Sequence, residues 1–320
     1  MKKIGGLQMK FNKIISATLI AVLALGIVGC GSNSDDNSSS ASTDANVTQI
    51  EAENPWEATV KGDGSLERVQ KAGKITAGLD DSYPPMGYHD AETDEIVGFD
   101  IDMAKAIGEK LGVEFEFVPA DWNAIVPSLQ TEKFDVIISG MNMWDTRVKE
   151  VNFVPYGVAS QEVLVKADAE NQDQMSDLEY FKDKVIGTQL GSTAAKYLQA
   201  MGFVEGENLT LYKTFPEITV DLDNGRIDAL AIDNFGSVEL LETGKYNDVA
   251  TIESSDGAAA NQIGIAVRKE DGDLQLALQK AVDELLVSGE LKEISMKWIG
   301  IDITESLVAD AQARLDANNY

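Results

Sequence analysis

Between Ser65 and Ile299 the chain alternates two hydrophobic rhythms. Short runs such as KITAGLD (74–80) and VEFEFVPA (113–120) read as strands, the second by its alternation. Longer stretches repeat at helical spacing. GFDIDMAKAIGEKLG (98–112) sets Met103, Ile107 and Leu111 on one face, with an acid near its start and Gly112 closing it. WNAIVPSLQTEK (122–133) predicts a helix whose Pro127 must fall in an early turn. FDVIIS (134–139) is too apolar for a half-exposed face and predicts a buried, parallel strand.

A second series follows in the same order. DKVIGTQ (183–189), LTLYKTF (209–215) and RIDALAID (226–233) read as strands; GSTAAKYLQAMG (191–202) and EITVDLDNG (217–225) read as helices. NQIGIAVRKED (261–271) begins another strand, 273–298 supply two helices, and 301–320 form a weakly amphipathic helical tail with no assignable role. Such alternation predicts an α/β protein. The two series share no sequence repeat, so their likeness is architectural. In open α/β sheets ligands sit beyond the carboxyl ends of strands. Polar clusters fall at such ends at Asp80 to Tyr83, Ser139 to Arg147, Gln189 to Thr193, and Asp233, two in each series. That distribution predicts a cleft between two lobes.

The first thirty residues break the pattern. Lysines at 10 and 13 precede an apolar run from Ile14 to Val28, of signal-peptide length and short for a membrane span. It ends in IVGC, which resembles the bacterial lipobox, so cleavage before Cys30 and lipidation of that cysteine are expected. MKKIGGLQ adds nothing a signal needs, and Met9 is the expected start. The serine-, asparagine- and acid-rich stretch after Cys30 reads as a flexible tether. The expected divisions are therefore signal peptide 1–29, lipidated tether 30–64, first lobe 65–158 with 262–300, second lobe 159–261, and extension 301–320.

Composition narrows the chemistry. A net charge of −28 disfavours nucleic acid and anionic lipid as partners. One cysteine excludes an intrachain disulfide and a cysteine-built metal site; one histidine, His89, excludes paired-histidine metal sites. His89 lies in the polar turn MGYHDAETDEIVG, where exposure is expected. DLDNGRID (221–228) superficially resembles a calcium loop, but its glycine falls one place early and Ile232 occupies position twelve, so it reads as a helix end and turn. No metal or cofactor is expected.

Eight segments in order carry a resemblance: YPPMGY (83–88), GFDIDMAKAIGEKLG, DWNAIVPSLQTEKFDVIISGM, an arginine seven residues after Gly140, VNFVPY (151–156), LGSTAA (190–195), GRIDALAID (225–233) and MKWIG (296–300). From about Lys74 to Trp298 the chain resembles the polar amino-acid-binding proteins of ABC importers, solute-binding proteins with the two-lobed type II periplasmic-binding fold. The resemblance implies that Arg147 grips a ligand α-carboxylate with its fork, as guanidinium geometry allows. Without it, a surface pair with Asp145 or Glu150 explains this arginine as well. It also implies that the amides of Ser192 and Thr193 face the anion at a helix start, that Asp233 takes the α-ammonium, and that Tyr83 and Trp122 wall the side-chain pocket. Asp80, Gln189, Ser139, Gly140 and Asn142 complete the implied ligand set. Read alone, Ser192 is as well a helix cap, Asp233 a cap for NFGSVELL, and either aromatic a core residue.

The chain departs from the family at GMNMW (140–144), where the usual pattern is GM[ST]xT; Trp144 stands in place of a threonine hydroxyl. The implied role is extracytoplasmic capture of an amino acid by a lipid-anchored monomer and its delivery to a permease and its ATPase. Crossovers near 157–162 and 254–263 would act as the hinge. A cyclohexadienyl dehydratase on the same scaffold is the alternative; it has less use for an ammonium-binding Asp233.

Overall fold

A computed structural model describes residues 48–49, 60–144, 146–252, 262–318 and 320. The expected signal segment, Cys30 and most of the tether lie outside the described residues. Strand β1 (Thr48–Gln49) pairs antiparallel with β2 (Val60–Lys61). Gly62 and Gly64 then donate their amides to Asp273, so the chain is fixed to the first sheet's helical layer before Ser65.

The first series runs α1 (Ser65–Ala72), β3 (Lys74–Leu79), β4 (Ser82–Tyr83), β5 (Gly87–His89), β6 (Ile96–Val97), α2 (Phe99–Leu111), β7 (Glu114–Pro119), α3 (Ile125–Gln130), β8 (Val136–Ile137), α4 (Arg147–Glu150) and β9 (Asn152–Val158). The second runs β10 (Gln161–Lys166), β11 (Ile186–Gln189), α5 (Thr193–Ala200), β12 (Leu209–Tyr212), α6 (Phe215–Asp223), β13 (Ala229–Asp233), α7 (Asn234–Glu242) and β14 (Tyr246–Ile252). Then β15 (Gln262–Val267), α8 (Gly272–Ser288), α9 (Glu290–Trp298) and α10 (Val308–Ala317) close the chain.

Two five-stranded sheets result, ordered β7-β3-β8-β15-β9 and β12-β11-β13-β10-β14. In each, four strands run one way and a single strand, β15 in the first and β10 in the second, runs against them. The short strand β8 is fully buried as expected, but only one neighbour is parallel: β3 is, β15 is not. The reason is connectivity. The chain returns from the second sheet through β15, and a returning strand enters antiparallel. The forward crossing is Ala159–Ser160, between β9 and β10; the return crossing falls largely outside the described residues.

Helix α2 shows how pattern becomes packing. Phe99, Met103 and Ile107 are fully buried against the first sheet. Gly98 precedes them at φ 135°, where a Cβ would meet the Met86 carbonyl oxygen at 2.4 Å, so only glycine lets the helix start this close to the YPPMGY loop. Pro127 occupies the third position of α3, where its missing N–H removes no intrahelical bond; a 3₁₀ turn over Trp122–Ala124 replaces the predicted first turn. DLDNGRID forms the end of α6 and the turn toward β13. His89 ends β5, exposed, between Asp81 and Asp94.

The tail is better anchored than its pattern indicates. Ile303, Leu307 and Ala311 join the first sheet's core. Arg314 grips fully buried Asp283 with two nitrogens at 2.7 and 2.8 Å, and the Tyr320 hydroxyl donates to the same carboxylate. The Val158 amide, last in β9, donates to the Ile303 carbonyl. The extension therefore buttresses the strand that leads into the forward crossing.

Candidate functional site

The strand ends of the two sheets face one another, and the residues predicted from them converge. Asp80 follows β3, Tyr83 ends β4, and Ser139 to Met143 follow β8; Gln189 ends β11, Thr193 opens α5, and Asp233 ends β13. Asp80, Tyr83, Ser139, Asn142, Arg147, Gln161, Gln189, Ser192, Thr193 and Asp233 are all buried. A buried cluster of this polarity needs internal partners. It has them, many reaching between the sheets.

Asp233 sits at the N-cap position of α7, yet its side chain caps nothing. Its carboxylate instead accepts the Tyr83 hydroxyl at 2.6 Å and the Gln161 amide. Burial pushes this carboxyl up to about 6, against the opposing pull of the two hydrogen bonds and of Arg147. Tyr83 stacks on Phe215 at 4.8 Å and lies against Phe235, so it is a packed aromatic that also holds the Asp233 carboxylate. Gln161, first in β10, was not predicted; a polar residue opening an ordinary strand gives no local signal of a partner 72 residues away.

Arg147 opens α4 and is 7% exposed. It forms no ion pair with Glu150, and Asp145 lies outside the described residues. Its guanidinium donates to the Asn142 carbonyl at 3.1 Å and, across to the second sheet, to the Gly191 carbonyl at 3.0 Å. Burial brings its pKa down to about 10, while Asp233 favours its charged form. Opposite formal charges thus stand in one buried cleft, each near enough to stabilise the other's ionised form, without pairing directly.

Two indole rings lie against the guanidinium. Trp122 lies 5.0 Å from the Arg147 carbon on one ring and Trp144 4.5 Å on another. Trp144 also carries the Lys196 ammonium at 4.2 Å, and Tyr197 lies 5.4 Å beyond. Trp122 additionally donates its indole N–H to the Gly191 carbonyl at 3.2 Å.

The remaining predicted residues divide between lining and support. Thr193 donates its hydroxyl to the Asn142 side-chain oxygen at 3.0 Å, joining the two sheets. The expected pair of anion-facing amides is corrected by half: the Ser192 amide donates to the Gln189 carbonyl, and its hydroxyl caps α5 at Ala195. Thr193 is the first helical residue, whose amide has no intrahelical acceptor. Gly140 is likewise structural. Its amide is held by Asp100 and Tyr156, and a Cβ at its φ of 53° would press Tyr83 at 3.2 Å. The Ser139 hydroxyl accepts the Asp80 amide. Asp80 in turn accepts from Gln189 at 2.6 Å and from Ser82.

Next to this cluster lies a cavity of about 230 Å³, lined by Asp80, Asp81, Asp121, Trp122, Lys213 and Thr214 among others. Its Lys213 pairs with Asp121 at 2.9 Å, leaving two carboxylates uncompensated by that lysine. The arrangement can therefore hold an anion at Arg147, a cation at Asp233, and a polar or cationic group toward Asp80. It offers a bound molecule charges of both signs. Among the described residues no cluster of His, Cys, Asp and Glu suits a metal ion.

Residues 75–301 match the bacterial extracellular solute-binding proteins, family 3. The L-cystine-binding protein TcyJ of Escherichia coli is 30% identical over 76% of this chain and 89% of its own. An ABC uptake transporter substrate-binding protein from Streptococcus pneumoniae, solved with bound histidine, superposes with a TM-score of 0.67 at 29% identity, covering 76% of this chain and 98% of that one. An ancestral amino-acid-binding protein, AncCDT-1, a precursor of cyclohexadienyl dehydratase, superposes with a TM-score of 0.65 at 30% identity, over 73% and 99% of the two chains. By the match over most of its length, with the two-lobed α/β architecture to support it, the chain belongs to the family 3 extracellular solute-binding proteins.

Proposed function

We propose that this protein is the extracytoplasmic amino-acid receptor of an ABC importer, in which Arg147 takes the α-carboxylate and Asp233 the α-ammonium. The observation that carries the reading is the pair itself. Two opposite charges from different sheets, each 7% exposed, share a cleft without forming an ion pair. Such charges are costly to bury unless a complementary molecule pairs them. A zwitterion does so at both ends. Because its contacts come from both sheets, it favours the closed arrangement over the open one. The closed form then serves as the signal to the permease.

The acids at Asp80 and Asp81 support a ligand whose side chain is polar or cationic. A thermal-shift screen over the twenty amino acids, ornithine and cystine tests both claims. Arginine, lysine or ornithine is expected to stabilise more than aspartate or glutamate. The absence of any shift would sink the receptor reading.

Catalysis is not part of this proposal. Asp233 is held by two donors and is charged at neutral pH, so it serves as an acceptor and a counter-ion, not as a general acid. Incubation with prephenate and arogenate should leave both unchanged. The proposed anchor is Cys30, at the end of the apolar run 14–28. Cys30→Ser should release the protein from the membrane fraction while leaving ligand binding intact.

A further inference from the structure

The strongest unexplained feature of the cleft is Trp144. Its indole N–H is buried and has no hydrogen-bond partner. An orphaned donor of this kind is ordinarily selected against. A tryptophan kept at that cost is kept for its ring faces. One face carries Arg147, which belongs to the same sheet's loops; the other carries Lys196, which projects from α5 of the second sheet. The indole is thus the shared plane between the carboxylate-binding guanidinium and a cation on the opposite lobe.

From this geometry we infer that Trp144 is a positioning residue that couples lobe closure to the setting of Arg147. The inference rests on the two-lobed receptor reading and deepens it. On closure, Lys196 docks on the outer indole face, and that contact exists only while the lobes are together. The clamped indole holds the guanidinium against Trp122, so that its edge, and not its face, is turned to the ligand. Two further contacts at the same end, Thr193 to Asn142 and Arg147 to the Gly191 carbonyl, close in the same movement. The chain has therefore replaced a small hydroxyl at position 144 with a contact that reports and favours the closed state. An indole face attracts a cation electrostatically, and the attraction strengthens as water is excluded.

The test reads closure without any ligand, so its failure is separable from failure of the amino-acid reading. Spin labels at Lys110 and Asp168, in a Cys30→Ser background, report the distance between the lobes by pulsed electron resonance. Trp144→Thr and Lys196→Met should each lower the closed-to-open ratio by about fivefold, the size of one cation–π contact still open to water. The double variant should lower it little further than either single change, because both remove one contact. Trp144→Phe, which keeps a ring and deletes the orphaned N–H, should stay close to the parent, as should Lys196→Arg. Additive losses in the double variant would overturn the coupling. So would a Trp144→Phe protein as open as Trp144→Thr, since the N–H would then matter more than the ring. An unchanged ratio in every variant would overturn it as well. Circular dichroism of each variant, matching the parent, separates these outcomes from misfolding.

Discussion

The Tyr83 hydroxyl donates to the Asp233 carboxylate at 2.6 Å, joining a strand end of one sheet to a strand end of the other over 150 residues of sequence. That bond both orients the carboxylate and, with burial, sets its titration near 6. An incoming ammonium favours the ionised form, so the pKa falls on binding. Affinity is therefore full above about pH 7 and weakens as pH falls through 6, by up to tenfold per unit. Calorimetric titration of a stabilising amino acid between pH 8 and pH 5 checks the slope. Asp233→Asn should flatten it and cost roughly 2–5 kcal/mol of binding at pH 8. A slope unchanged in that variant would assign the proton elsewhere.

Arg147 should separate binding from stability. Its guanidinium is desolvated and satisfied by only two backbone carbonyls. Arg147 is not ion-paired in the ligand-free protein, so an apolar chain of similar length removes a desolvation cost without breaking a salt bridge. Arg147→Met is expected to keep or raise the melting temperature of the ligand-free protein and to abolish every ligand-induced shift. Arg147→Lys keeps the charge but loses the fork, and should retain weakened binding. A large fall in ligand-free stability of the Met variant would show that the arginine is a structural strut.

The difference between what was and was not legible follows from range. Elements with local periodicity, such as α2 with Met103 and Ile107, could be read directly because their partners repeat along the chain. Arg147 stood out through the resemblance, since read alone a surface pair with Asp145 or Glu150 explained it as well. Gln161 did not, because its partner is set by sheet order and not by neighbours. Nor could any pattern tell that the Ser192 amide would be spent on the Gln189 carbonyl, a matter of turn geometry. Trp144 was visible as a departure, but its sandwich between Arg147 and Lys196 depends on two elements meeting from different sheets. The tail read as weakly amphipathic because part of its attachment is ionic, through Arg314 and Tyr320.

A second buried carboxylate predicts how the ligand-free fold responds to pH. Asp100 is fully buried, and desolvation lifts it to about 7, although Tyr156 and the Gly140 amide donate to it. A carboxyl raised in the folded state binds its proton there before the unfolded chain does. Its contribution to stability is complete below its ordinary value of 3.8 and is lost as pH rises through about 7. Asp233 acts in the same sense up to about 6. Ligand-free protein should therefore melt higher at pH 5.5 than at pH 8, and Asp100→Asn should shrink that gap. Melting curves across this range, in the parent and the variant, decide the matter.

Asp283 makes the tail testable. Its carboxylate is fully buried and accepts from Gln279 and, beyond the last segment that carries the family pattern, from Arg314 and Tyr320. Truncation after Gly300 would leave a buried charge without its counter-ion and with only the Gln279 amide donating to it, at a cost of about 3–5 kcal/mol. It would also strip Ile303, Leu307 and Ala311 from the core and expose the Val158 amide at the forward crossing. Asp283→Asn in the truncated chain should recover part of the loss, because an amide needs no counter-ion; in the full chain the same change should destabilise by orphaning Arg314. Urea titration of the four proteins separates the two effects. If truncation leaves the midpoint unmoved, the extension is an ornament on the lobe and not a brace for its last strand.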